Sequence, residues 1–176
     1  ATPLSMTAAL VFSFNHSIAK SAMLMLAGYI ASRASVKSAA FEVVTGVGRP
    51  LPLAGGLFFI GGLGLAGIPP TNGFISKMLL FRSGLAAEQM GALLLIGLAG
   101  ALTMIYVMRA FMRIWWQSSN DGIKTKQTGD SIVAPLLLLL MVIGLGVYAD
   151  PLVAVCHETV EWLSQPQLYI HSVLGG

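Results

Sequence analysis

Apolar stretches of membrane-spanning length alternate with short polar ones along this chain. A hydrocarbon core about 30 Å thick needs about 20 apolar residues per helix. The first such stretch runs from Leu4 to Ile30 and predicts a tilted span. A polar segment with Arg33, Lys37, Glu42 and Arg49 follows. The second stretch, Leu51 to Ala87, is too long for one straight span and is interrupted by Gly67-Ile68-Pro69-Pro70-Thr71-Asn72-Gly73. Proline removes a backbone donor and clashes with the preceding turn, so a helix has to break there. The third and fourth stretches, Met90 to Ile114 and Ile132 to Tyr148, flank a polar loop of Gln117 to Asp130. After Asp150-Pro151, an amphipathic piece from Leu152 to Leu163 predicts a helix lying at the membrane interface. The pattern therefore predicts an all-α integral membrane protein with about four transmembrane spans. The second span is discontinuous at Gly67–Gly73, residues 1–149 form the membrane domain, and residues 150–176 form a tail outside it.

Composition agrees with the pattern. Of 176 residues, 56% are hydrophobic and 10% are charged, where roughly 25% charged is usual for a soluble domain. Ten basic and seven acidic side chains cannot clothe a water-facing surface. Disorder, a collagenous repeat and a nucleic-acid-binding tail are excluded by the same figures. Cys156 is the single cysteine, which excludes an internal disulfide and a cysteine-based metal cage.

Charge placement orients the spans. If the second stretch crosses once, Arg33, Lys37, Arg49, Arg109, Arg113, Lys124 and Lys126 share one side, and Arg82 is left on the other. That is a positive-inside asymmetry. A double crossing would divide the basic residues between the faces. One discontinuous span is therefore expected, with the basic loops in the cytoplasm and the C-terminus outside. Tyr106, Trp115, Trp116 and Tyr148 fall near span ends, as interfacial aromatics do.

Two bases fall inside spans, Lys20 and Lys77. A lysine at mid-depth costs at least about 2.5–3.5 kcal/mol on insertion scales, so each is a candidate functional residue. His16 precedes Lys20 by four residues, and both project from one helix face together with Ser13, Ser17 and Ser21. Histidine changes charge near neutral pH, so with water the pair can pass protons. A snorkelling Lys20 is the bland alternative, but reaching the Arg33 end means crossing more than ~10 Å at about 1.5 Å per residue. Lys77 follows the break and is expected on the first turn of the second half-helix. A cation near a helix N-terminus is electrostatically disfavoured, which suits a group that has to release its proton. The break itself can serve packing only, or line a hydrated cavity as discontinuous helices of transporters do. All seven acids lie in loops, at span ends or in the tail. Two buried cations without a buried carboxylate are incomplete. A partner acid is therefore expected from another chain or from a missing part of this one.

Other chemistry is absent from the pattern. No glycine-rich phosphate loop is followed by Lys-Ser or Lys-Thr, so no nucleotide cofactor is expected. Met104, Met108 and Met112 form a packing stripe on the third span rather than a copper site. His157 and His171 have no ligand spacing, so no metal is expected. No nucleophile–base pair marks an enzyme.

Two motifs carry a resemblance. His16-Ser17-Ile18-Ala19-Lys20-Ser21-Ala22-Met23-Leu24-Met25-Leu26-Ala27-Gly28 and Leu65-Ala66-Gly67-Ile68-Pro69-Pro70-Thr71-Asn72-Gly73-Phe74-Ile75-Ser76-Lys77 resemble the relay and broken-helix signatures of antiporter-like subunits of respiratory complex I and its relatives. The Arg-aromatic pattern of Tyr106 to Trp116, with Asp150-Pro151 and Pro166-Gln167-Leu168-Tyr169-Ile170, resembles the D-type subunits of Mrp-type multisubunit cation/proton antiporters. The resemblance implies a place in a fold of about fourteen helices with inverted repeats of about five each. This chain would be the C-terminal third, so its partners would include the remainder of the same subunit and other antiporter subunits. It implies a multi-pass protein of the cell membrane that moves H+ against Na+ or K+, with no cofactor and no enzymatic activity of its own. Lys77, Lys20 and His16 would form the proton relay, with Ser17, Ser21, Thr71 and Ser76 holding water and Gly67, Pro69, Pro70 and Gly73 breaking the helix. The same fold in a redox-driven NADH-quinone oxidoreductase or membrane-bound hydrogenase is the first alternative. A structural membrane scaffold is the second.

Overall fold

A computed structural model describes residues 2–34, 44–118, 126 and 129–165. Among them lie six α-helices and no strand: α1 (Pro3–Ala34), α2 (Pro52–Ala66), α3 (Asn72–Ala86), α4 (Met90–Phe111), α5 (Val133–Val147) and α6 (Asp150–Leu163). A π-helical turn, Met112–Trp116, continues α4. Lys37, Glu42, Asp121, Lys124, His171 and the motif Pro166–Ile170 lie outside the described residues.

Helix α1 is the centre, packed by α2, α3, α5 and α6. Its buried seam is Ala8, Val11, Asn15, Ala19, Ala22, Leu26 and Ile30, spaced three and four residues apart as one face of a helix requires. Ala8, Ala19 and Ala22 keep parts of the seam small and let neighbouring backbones approach closely there. Near its C-terminal end, Ala22, Leu26, Ile30 and Ala34 join Val47, Ala54, Leu57 and Leu139 in one apolar cluster. Helix α4 leaves Leu94, Leu95, Leu98, Leu102 and Ile105 outside.

The two half-helices cross once. The Gly46 and Gly48 N–H groups, just before α2, donate to the Arg113 and Ile114 carbonyls at the end of α4, each at 2.9 Å. At the other end, only Ala87, Glu88 and Gln89 separate α3 from α4. So α2, the break and α3 together run the full length of α4, antiparallel to it. This puts Arg33, Arg49, Arg109, Arg113 and Lys126 at one end. Arg49 there donates to the Trp116 carbonyl at 3.1 Å, Arg113 Nε donates to Thr45 Oγ1 at 3.1 Å, and the Lys126 N–H donates to the Arg33 carbonyl at 2.8 Å.

Where about four spans are expected, two helices among the described residues meet the length and hydropathy of a span, or three if α5 and α6 count as one; α2 and α3, at 15 residues each, do not. Among the described residues, α1 and Met90–Trp116 are each long and apolar enough to cross a membrane. Helix α5 has 15 residues, about 22 Å at about 1.5 Å per residue. It bends by 78° into α6, and the two pass the same test only as a pair. Asp150-Pro151 stops α5, as expected. The amphipathic piece then folds back onto α1, and Val160 is fully buried.

The break is shorter than its motif. Helix α2 ends at Gly67, whose φ of 80° lies in the left-handed region that glycine enters at no steric cost. The Gly67 N–H donates to the Gly64 and Leu63 carbonyls at 3.3 and 2.9 Å, and the Ile68 N–H to Leu63 at 3.0 Å, closing the helix in a Schellman pattern. Pro69 and Pro70 follow, joined by a cis peptide bond. Helix α3 then starts at Asn72, which places Gly73 inside its first turn. Gly73 meets the Gly64 carbonyl so closely that a Cβ there would collide with it. On α5, Gly146 lies against the backbone of Pro70, Thr71 and Asn72 in the same way.

This geometry sets two effects against each other at Gly73. Alanine is worth about 1 kcal/mol over glycine in a helix, but forcing a methyl into packed backbone costs about 1–3 kcal/mol. Gly73→Ala is expected to lower the unfolding midpoint in detergent. Gly56→Ala, where a Cβ would meet nothing within 4 Å, should hold or raise it.

Candidate functional site

Lys77 lies in the second turn of α3, one turn later than expected. Helical side chains slant towards the N-terminus, so its own points back to the break. Its Nζ donates to the Ala66 carbonyl, the last of α2. The amine therefore caps the C-terminal end of the first half-helix, where the partial charge is negative and a cation is favoured. This reverses the expected electrostatics, because the cation answers the end of α2 rather than opposing the start of α3. Gly100 of α4 makes room for it, since a Cβ there would sit 2.9 Å from Nζ. Around the side chain runs an open groove of about 290 Å³, walled by Ile68, Phe81, Ile96 and Met104.

His16 approaches from α1. It is half-buried, and its ring stacks on Phe12 with centroids 5.2 Å apart and planes 16° from parallel. It lies within electrostatic reach of both Lys20 and Lys77. Lys20, Ser17 and Ser21 are exposed on the outer side of α1. Ser17 donates to its own helix at the Ser13 carbonyl, 2.8 Å away. The structure thus seats Lys77 at the break, leaves His16 half-buried on α1 and places Lys20 at the margin of the bundle. Neither lysine pairs with a carboxylate among the described residues.

Thr71 and Ser76 are buried at the break. Thr71 Oγ1 donates to the Ile68 carbonyl at 2.7 Å, and Ser76 Oγ to the Asn72 carbonyl at 2.9 Å. Two further side chains complete this cluster, and neither is among the residues expected from the sequence. Asn15 and Asn72 are 2% and 0% exposed and face each other between α1 and α3. Asn72 Nδ2 donates to Asn15 Oδ1 at 3.2 Å, and Asn15 Nδ2 donates to Ser76 Oγ at 2.7 Å. The signal that could have found Asn15 is an amide in the middle of an apolar span, standing among small residues at the seam spacing. Among the described residues, no three His, Cys, Asp or Glu side chains gather where a metal ion could bind.

Comparisons with known proteins agree with this architecture. The family model for the transmembrane region of NADH:quinone oxidoreductases and Mrp antiporters matches residues 1–105. The D-type subunit of the Na+/H+ antiporter from Bacillus subtilis (strain 168) is 32% identical over 98% of this chain and 35% of its own length. Its counterpart from Alkalihalophilus pseudofirmus is 27% identical over 98% of this chain and again 35% of its own. This chain thus spans about a third of the length of these relatives. A chain in the structure of the Mrp complex from Dietzia sp. DQ12-45-1b superposes with a TM-score of 0.82 at 22% identity, covering 99% of this chain and 40% of that one. The two share a fold.

The contact of Lys77 with the break yields a double-mutant test. Gly67→Ala meets a left-handed backbone, costing about 1–2 kcal/mol, and its Cβ would also sit 3.1 Å from Lys77 Nζ. Adding Lys77→Ala should remove the second penalty and keep the first. A coupling energy of about 0.5–3 kcal/mol is expected from denaturant unfolding of the four proteins in the cycle. Strict additivity would mean that Lys77 does not lie against Gly67.

Proposed function

Since this chain belongs to the NADH:quinone oxidoreductase/Mrp antiporter transmembrane family, we propose that it works in a membrane subunit of a multisubunit monovalent cation/proton antiporter. Its task there is to carry protons through Lys20, His16, water and Lys77. The observation that carries this reading is the Lys77 amine at the broken helix, capping Ala66, on the α3 face that Asn15, the residue before His16, bonds through Ser76. The names of the D-type relatives support exchange of Na+ for H+. The chain acts as part of a transporter and not as an enzyme.

The chemistry follows from the donors. Protonated Lys77 rests at the negative end of α2. Neutral Lys77 keeps two N–H donors for the same carbonyl and gains a lone pair that accepts a proton relayed from His16. Imidazole can take a proton on one nitrogen while giving one from the other. Lys20, on the outer side of α1, connects the pair to whatever covers that face. A polar strip at membrane depth does not face lipid, since exposed polar groups there cost several kcal/mol, on the order of an unsatisfied backbone group. The covering element is thus a protein partner, from other antiporter subunits or the remainder of the same subunit, and the natural source of the missing carboxylate. The basic end of the bundle lies in the cytoplasm, by the positive-inside rule, and residues 150–176 lie outside. The family description also covers NADH:quinone oxidoreductases. In such a complex the same relay would be driven by redox chemistry in other subunits.

The test uses the complete complex in everted vesicles, following dissipation of a pH gradient on adding Na+ or K+, with assembly checked on native gels. Lys77→Ala and Lys20→Ala are expected to assemble and to lose exchange by roughly 10²-fold. Lys77→Arg is the sharper variant. Guanidinium can still cap Ala66, but it does not release a proton. Loss of exchange in Lys77→Arg supports the relay. Retained exchange makes Lys77 a structural cap and favours the scaffold reading.

A further inference from the structure

Asn15 and Asn72 are buried, and neither amide gains or loses a proton near neutral pH, so the relay does not use them. Their bonds pin two helices at one point. Asn15 Nδ2 donates to Ser76 Oγ at 2.7 Å and to the Asn72 carbonyl at 3.3 Å, while Asn72 Nδ2 returns a bond to Asn15 Oδ1 at 3.2 Å. Asn15 immediately precedes His16, and Ser76 immediately precedes Lys77. The pinned contact and the proton-carrying pair are thus successive residues on the same two helices.

Among the described residues no other hydrogen bond joins α1 to α3. The neighbouring seam residues of α1 are Ala8, Val11, Ala19 and Ala22, and apolar contacts in lipid lack a strong directional term. A slip of one helical turn would move His16 by about 5.4 Å along α1. Nor is the amide pair the most stable way to join the helices. Among the described residues Asn72 Oδ1 is buried with no hydrogen-bond partner, which is destabilising. An apolar pair of the same volume would avoid that cost. What the amides add is a fixed position, the best-attested use of buried polar groups.

We propose that Asn15 is a positioning residue for proton transfer, locking α1 to α3 through Ser76 and Asn72 so that His16 stands at a fixed distance from Lys77. The inference rests on the relay reading above, and its test separates the two. In everted vesicles holding the complete complex, Asn15→Leu, Ser76→Ala and Lys77→Ala are compared with wild type. Three readouts are taken: exchange rate per assembled complex, half-saturating Na+ concentration and solvent deuterium isotope effect. Asn15→Leu is expected to slow exchange about tenfold or more, since small misplacements of reacting groups carry large rate penalties. Half-saturating Na+ should stay unchanged and the isotope effect should rise as proton transfer becomes limiting. Wild-type exchange in Asn15→Leu with a dead Lys77→Ala overturns the positioning role and leaves the relay standing. Active Lys77→Ala overturns the relay, and this inference with it. Slower exchange with an unchanged isotope effect makes Asn15 merely structural and also overturns the proposal. Should Asn15→Leu fail to assemble, Ser76→Ala, which removes one hydroxyl from the pinned contact, is read by the same criteria.

Discussion

In hydrocarbon every backbone N–H and C=O has to find a partner inside the protein, and the gap between α2 and α3 is where this chain meets that demand. The break frees carbonyls and N–H groups that a continuous helix would pair. Each solution found here recruits a particular residue. Gly67 turns its own and the following N–H back onto α2. Thr71 answers the Ile68 carbonyl in the gap, and Asn15 and Ser76 both bond the Asn72 carbonyl at the start of α3. Lys77 answers Ala66. The side chains that make the break tolerable are the ones gathered at the candidate site, so structure and chemistry share one cause.

The same demand explains why glycine crowds this region. Gly73 and Gly146 allow backbone to lie directly on backbone around the gap, where a methyl group would collide. Gly100 yields space to the lysine amine from the opposite side. Close approach of backbone to backbone leaves Thr71 and Asn72 buried beside the gap, while Pro69 and Pro70 stay exposed.

Much of this is legible in the amino-acid sequence alone. Proline chemistry marks the gap, bilayer thickness marks the spans, and the insertion cost of a charge singles out Lys20 and Lys77. These signals are strong because the solvent imposes them. What stays hidden is what the membrane leaves unspecified. In water an apolar stripe marks the inner face of a helix, but in a membrane bundle the polar strip of α1 and its apolar seam can each face protein, so the pattern does not tell which side packs inward. The outward position of Lys20 and the inward position of Asn15 are illegible for that reason. Gly73 reads as part of the gap because glycine signals both turns and tight packing. The early end of α5 is marked by Asp150-Pro151, whereas the return of α6 onto α1 depends on a tertiary contact at Val160 that no local pattern announces.

The cap on Ala66 has a mechanical side. A cation at the end of a helix gains about 0.3–1 kcal/mol when exposed and up to about 2 kcal/mol when partly buried. That attraction pulls the end of α2 towards α3, and most of it vanishes when the amine becomes neutral. Its size is comparable with or larger than thermal energy, so the stiffness of the joint between the half-helices varies with proton occupancy. On the proposed relay, a proton arriving at Lys77 would tighten this joint, and one leaving would slacken it.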